Sequence, residues 1–135
     1  MITGTEGGSM GENKKKTILI IEDEEQLVAS LQRLFRAQGY DVIAVTDAYG
    51  GISSARREQV DLIILDIGIP AGGGFFVLEN IKVLIDTNPI PILVLTASTE
   101  PMVEEKAKKM GVSKYIHKPF DPESLIASVK ELVGD

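Results

Sequence analysis

Five side chains in this sequence could cooperate chemically, and all five stand at or beside the end of an apolar run. Glu22 and Asp23 open the acidic stretch "EDEE" directly after "TILII" (17–21). Asp66 follows "LIIL" (62–65), Thr96 follows "IPILVL" (90–95), and Lys118 closes "KYIHK" (114–118). If these runs are adjacent strands pointing the same way, their ends form one rim with three carboxylates, a hydroxyl and an ammonium. Two like charges ~4 Å apart repel by roughly 4 kcal/mol at an effective dielectric of about 20, so the cleft calls for a cation beyond Lys118. Oxygen ligands without His or Cys suit Mg²⁺, Mn²⁺ or Ca²⁺ rather than zinc. A carboxylate beside such a metal, a lysine and a hydroxyl can be the covalent acceptor of a phosphoryl group.

The elements that must position these residues are legible in the same way. The apolar runs lack polar alternation, which marks strands covered on both faces, as in parallel sheets. "YDVIAV" (40–45) is a further strand candidate. Between the strands lie helical patterns. Leu27, Leu31, Leu34, Phe35 and Gln38 share one stripe before Gly39; Leu78, Ile81 and Ile85 form another; Val103, Ala107 and Met110 a third, before Gly111. "DPESLIASVKELVG" is the clearest helix, with Asp121 as N-cap and Pro122 in the first turn. The segment 48–57 is the poorest, with Gly50 and Gly51 inside it. Strand and helix thus alternate five times, which predicts an α/β fold: a doubly wound five-stranded parallel sheet with five helices. Ligands of such sheets bind at the carboxyl ends of the strands.

Bulk composition narrows the function. The chain has 135 residues, enough for one domain with a core. It is 44% apolar and 25% charged, with a formal net charge of −6 and no basic stripe, so direct nucleic-acid binding is not expected. The absence of cysteine excludes a disulfide framework, a zinc-thiolate site and a Cys nucleophile. No apolar stretch approaches the length of a membrane span and no signal peptide is visible, so the cytoplasm is the expected compartment. Residues 1–15, rich in Gly and Lys, read as a disordered leader or expression tag, and 16–135 as the functional domain.

Taken together, "ILIIEDE", "DLIILDIGIP", "PILVLTA" and "YIHKPF" resemble the receiver domain of two-component response regulators. Each piece is weak alone; their order and spacing are specific. The resemblance covers roughly residues 16–133. It implies a flavodoxin-like fold with strand order 2-1-3-4-5, and a phosphorylation-dependent signalling switch of a phosphorelay. Asp66 would accept the phosphoryl group from a sensor histidine kinase or phosphotransfer protein. Glu22 and Asp23 would hold Mg²⁺ with Asp66, Asp23 being the better direct ligand, and the Gly68 carbonyl would complete the protein ligands. Mn²⁺ or Ca²⁺ could substitute. Thr96 and Lys118 would grip the phosphoryl oxygens, and Tyr115 would be the aromatic that reorients with Thr96 on activation. A homodimer or output partner would use the fourth helix, fifth strand and fifth helix. The domain would assist its own phosphorylation and dephosphorylation without turning over an external substrate.

Plainer readings compete at each position. Asp66 could cap a turn, the acids of "EDEE" could suit a helix dipole, Lys118 could be solvated, and Thr96 and Tyr115 could simply pack. Three other function classes fit less well. A flavodoxin-like cofactor binder needs a Gly/Ser/Thr-rich phosphate loop after the first strand, where this chain has "EDEEQ". An aspartyl phosphatase would carry its nucleophile on the first strand and need a cap over its substrate. A scaffold that has lost its chemistry would not keep the acid, threonine and lysine together. Two departures from the family pattern stand out. Glu22 occupies a position where Asp is usual, and "AGGGFF" (71–76) replaces an acid and a single glycine, which predicts a mobile loop at Gly72 and Gly73. Gly68 and Ser98, both small, sit at positions that tune phosphoryl lifetime in the family.

Overall fold

The computed structural model describes residues 15–135, so the leader assigned to 1–15 lies outside the described residues apart from Lys15. The chain alternates β1 (Thr17–Ile21), α1 (Glu25–Ala37), β2 (Asp41–Val45), α2 (Ala48–Arg57), β3 (Leu62–Leu65), α3 (Gly73–Val83), β4 (Ile92–Thr96), α4 (Pro101–Lys109), β5 (Lys114–His117) and α5 (Pro122–Val133). The strands form one parallel sheet in the order β2-β1-β3-β4-β5. This is the order implied by the resemblance.

The unalternating apolar runs have a direct explanation. Each central strand feeds two cores, one on each face. Leu19, Ile21, Ile63, Leu65, Ile92 and Val94 pack with α2, α3 and α4. Ile18, Ile20, Leu62, Ile64, Leu93 and Leu95 pack with α1 and α5 through Leu31, Phe35, Leu125 and Val129. All twelve strand side chains are at most 2% exposed, so any polar substitution among them would be buried without a partner.

The helix ends follow the sequence signals. Asp121 accepts a hydrogen bond from the Ser124 backbone N–H at 2.9 Å and caps α5. α2 forms despite its two glycines. Asp47 caps it through the Gly50 N–H at 2.7 Å. At Gly51 a Cβ would come within 2.5 Å of the Ile21 Cδ1, so the missing side chain lets α2 lie close on β1. The stripe predicted through Ile85 is corrected. α3 ends at Val83, and Ile85 lies beyond it, 90% exposed. The Thr87 hydroxyl donates to the Ile81 carbonyl at 2.7 Å, and the Asn88 side-chain amide donates to the Lys82 carbonyl. These side chains take up terminal carbonyls that a further helical turn would have used.

The glycine run is corrected as well. Gly73 and Gly74 are buried in the first turn of α3, and the loop bends through Ala71 (φ 61°) and Gly72 (φ 70°). A Cβ at Gly74 would fall 2.1 Å from the Ile67 carbonyl oxygen. The run therefore lets α3 start directly against the loop that follows Asp66. Gly74→Ala is expected to destabilise the fold by about 3 kcal/mol, because a backbone carbonyl must move. Gly51→Ala should cost clearly less, since the Ile21 side chain can rotate. Urea denaturation of the two variants checks this; equal costs would contradict it.

Candidate phosphoacceptor site

All five strands are parallel, so their carboxyl ends lie on one edge, and backbone hydrogen bonds carry the ladder past the last strand residues. The Glu22 N–H donates to the Val45 carbonyl (3.1 Å), the Asp66 N–H to Ile21 (3.0 Å) and the Lys118 N–H to Thr96 (2.8 Å). Three of the predicted site residues are therefore held at fixed heights on the rim.

Their side chains converge. Oxygens of Glu22, Asp23 and Asp66 lie within 4.8 Å of one another. The Lys118 Nζ donates to the Glu22 Oε1 at 2.9 Å and stands 3.6 Å from the Asp66 Oδ2. The other oxygen of Glu22 accepts the Glu24 N–H at 3.1 Å. Asp66 Oδ1 accepts the Gly68 N–H at 2.9 Å. A Cβ built on Gly68 would lie 3.4 Å from Asp66 Oδ1 and 3.8 Å from Thr96 Oγ1, so Gly68 borders both groups. Thr96 is 1% exposed and its hydroxyl accepts the Ser98 N–H at 3.2 Å.

The electrostatics are unbalanced. Among the described residues three carboxylates stand with one ammonium, −3 + 1, a net of two negative charges. Burial pushes the Glu22 carboxyl above its ordinary pKa, against the opposing pull of Lys118 and the Glu24 N–H. Burial pulls on Lys118 in the direction of deprotonation. The Glu22 hydrogen bond and the charges of Asp66, Glu22 and Glu24 outweigh that, and its pKa is raised. Asp23 is exposed. The donor set is all oxygen, negatively charged and open to solvent on one side, which fits a hard divalent cation. Glu22, reserved in the sequence reading for the metal, is in this structure the anchor of Lys118. Its longer arm reaches inward to the lysine.

Tyr115 lies one strand over. Its ring packs against the core under α4, and its hydroxyl is buried with no hydrogen-bond partner among the described residues. Burial, then the charges of Glu104 and Asp66, raise its pKa. The ring packs edge to face on His117, with centroids 5.4 Å apart, and His117 Nε2 is 3.5 Å from Glu104 Oε1 on α4. The sequence reading gave His117 no role and did not single out Glu104. No spacing signal links a strand histidine to a glutamate on a preceding helix; only the fold brings them together.

Comparison with known proteins agrees with this geometry. The family model described as "Response regulator receiver domain" matches residues 18–130. The chain belongs to that family and is a receiver domain of two-component signalling. It is 35% identical over 118 residues to the alkaline phosphatase synthesis transcriptional regulatory protein PhoP of Bacillus subtilis, covering 87% of this chain and 48% of that protein. The chain spans about half the length of the curated relatives it matches. Among solved structures, a CheY-like receiver domain protein from Methanospirillum hungatei superposes with a TM-score of 0.84 at 25% identity, covering 90% of this chain and 95% of that one. The receiver domain of the sensor histidine kinase PA1611 from Pseudomonas aeruginosa has a TM-score of 0.82 at 26% identity, covering 90% and 100%. That structure is described with a magnesium ion coordinated in its active site cleft.

The charge imbalance makes a prediction for metal-free protein. Asp66→Asn keeps the shape and removes one negative charge, so it should stabilise the fold by about 1 kcal/mol in EDTA. Lys118→Met strands Glu22 without its cation and should destabilise by about 3 kcal/mol. Denaturant titration of both variants checks the signs; a destabilised Asp66→Asn would contradict the repulsion argument.

Proposed function

We propose that this domain is a phosphorylation-controlled switch whose acceptor is Asp66. The observation that carries the reading is the position of Asp66 on the rim, with the Lys118 ammonium 3.6 Å away and two further carboxylates beside it. The phosphoryl donor would be a phosphohistidine of a sensor histidine kinase or phosphotransfer protein. An Asp66 carboxylate oxygen bonds to phosphorus as the phosphorus–nitrogen bond breaks, and the imidazole leaves with the bonding pair and takes up a proton. Asp23, Asp66 and the Gly68 carbonyl would hold Mg²⁺, for which Mn²⁺ or Ca²⁺ could stand in. Bound there, the ion supplies positive charge to the transferring phosphoryl oxygens. Lys118 can turn from Glu22 toward those oxygens without changing its backbone position. The Thr96 hydroxyl would donate to another oxygen once it swings from the Ser98 N–H.

The output follows from the same contacts. A shift of Thr96 changes the space beside Tyr115, and Tyr115 is tied through His117 to Glu104 on α4. Phosphorylation would thus alter the α4–β5–α5 face, the surface suited to an output partner or a homodimer. Because only contacts that differ between two states can shift their balance, Thr96 and Lys118 are the residues that couple phosphate to this face. The domain assists its own modification and is not a turnover enzyme on an outside substrate. The reading places it in the cytoplasm, where a kinase's phosphohistidine would meet it. Relatives named as transcriptional regulators support control of transcription through a further part of such proteins, and this domain would not itself contact DNA.

A small acyl phosphate with Mg²⁺ should add one phosphoryl group by intact mass. Asp66→Asn should gain none, and Lys118→Ala should label on the order of a hundredfold more slowly through loss of its fixed cation. Labelling of Asp66→Asn at the wild-type level would overturn the assignment.

A further inference from the structure

Exposed apolar side chains are not spread evenly over this domain. Of the five large ones among the described residues, four lie on the face built by α2 and α3: Tyr49 (76% exposed), Phe76 (39%), Val83 (74%) and Ile85 (90%). Isolated apolar residues on a surface need no explanation, but a cluster marks an interaction site. Tyr49 and Phe76 pack edge to face across the two helices with centroids 5.5 Å apart, which joins the patch into one surface. Beside it runs a groove of about 1020 Å³ lined by both apolar and charged residues.

The charges in that groove have a pattern. Arg56 and Arg57 end α2 on one wall, and Asp86 follows α3 on the other. All three are exposed, and none has an ion pair among the described residues. Both helices connect parallel strands and run the same way, so the arginines and the aspartate stand at the same end of the domain. A two-fold axis parallel to the helices lays α2 of one copy against α3 of another. Each copy's arginines then meet the other's Asp86, with Val83 and Ile85 of both copies beside that contact, while Tyr49 lies toward the start of the partner's α3. A foreign acidic helix would match the arginines but would set its carboxylates against Asp86. A second copy offers an opposite charge to both the arginines and Asp86.

We propose that the α2–α3 face pairs this chain with a second copy of itself. The charged end of the face lies at the helix C-termini, at the opposite edge of the sheet from Asp66. The dimer leaves the acceptor rim and the α4–β5 face free, and it forms without phosphorylation. Two helices of this length give a contact in the small, transient size class.

Sedimentation equilibrium in EDTA, with protein raised to roughly 1 mM, tests it at the strength expected of small contacts. The wild type should populate a dimer. Ile85→Ser with Val83→Ser should weaken it about tenfold or more, as loss of central apolar anchors does, and Met102→Ser on α4 should leave it unchanged. Arg56→Glu with Arg57→Glu should be monomeric, and so should Asp86→Arg. Mixed in equal amounts, these last two chains should form heterodimers, because every charge contact is then attractive. All these positions are exposed, and circular dichroism confirms that the variants fold. A wild type that stays monomeric, a dimer that depends on Met102 instead of Ile85, or a charge-swapped mixture that stays monomeric would each overturn the proposal. None of these outcomes bears on phosphorylation of Asp66.

Discussion

Three carboxylates crowd the rim of this sheet beside one lysine, which touches only two of them. Lys118 bonds Glu22 at 2.9 Å and lies 3.6 Å from Asp66. Glu22 is nearly enclosed, and both of its oxygens are occupied. The rim would not assemble if the backbone were free to relax. It is kept in place because the strand ladder continues through Glu22, Asp66 and Lys118, and because the residues just before them are buried in two cores. The core energy of the sheet thus sustains a local repulsion, as functional sites often require. The repulsion makes the site responsive, since an added cation or a redistribution of charge at Asp66 changes the balance at once.

The same frame sets how a change at Asp66 can spread. Thr96 ends β4, and a Cβ built at Gly68 would lie 3.8 Å from its hydroxyl and 3.4 Å from Asp66 Oδ1. Tyr115, on the neighbouring strand, has a buried hydroxyl without a hydrogen-bond partner among the described residues. A buried unpaired hydroxyl costs about 1–3 kcal/mol, so this ring has a reason to adopt another position when its surroundings shift. His117 and Glu104 carry the connection onto α4, where Glu104 also pairs with Lys108 at 2.7 Å. The charged end of the α2–α3 groove, at Arg56, Arg57 and Asp86, lies at the other edge of the sheet and shares no residue with this path.

Much of this was legible in the sequence because strong physical signals coincide there. A short apolar run such as "LIILD", bounded by turn residues, reads as a strand buried on both sides and ending in an acid, and five strands and five helices form in the expected order. The convergence of Glu22, Asp23, Asp66, Thr96 and Lys118 followed from parallel order alone. What spacing missed depended on particular contacts, some between residues only six or seven apart. Ile85 keeps helical spacing from Ile81, yet Thr87 and Asn88 end the helix first. Gly72 to Gly74 read as slack, whereas Gly74 is required by a carbonyl at Ile67. The use of Glu22 as the partner of Lys118, and the His117–Glu104 contact, depend on side-chain reach that no spacing encodes.

The central claim is that the rim lacks positive charge and that a divalent cation supplies it. Urea unfolding of the wild type and of Asp23→Ala across a Mg²⁺ titration tests this most directly. An ion that binds only the folded state stabilises it in proportion to the logarithm of its concentration above the dissociation constant. The account predicts a rising unfolding midpoint for the wild type and a flat one for Asp23→Ala. A wild type indifferent to Mg²⁺, or an equal rise in both proteins, would contradict it.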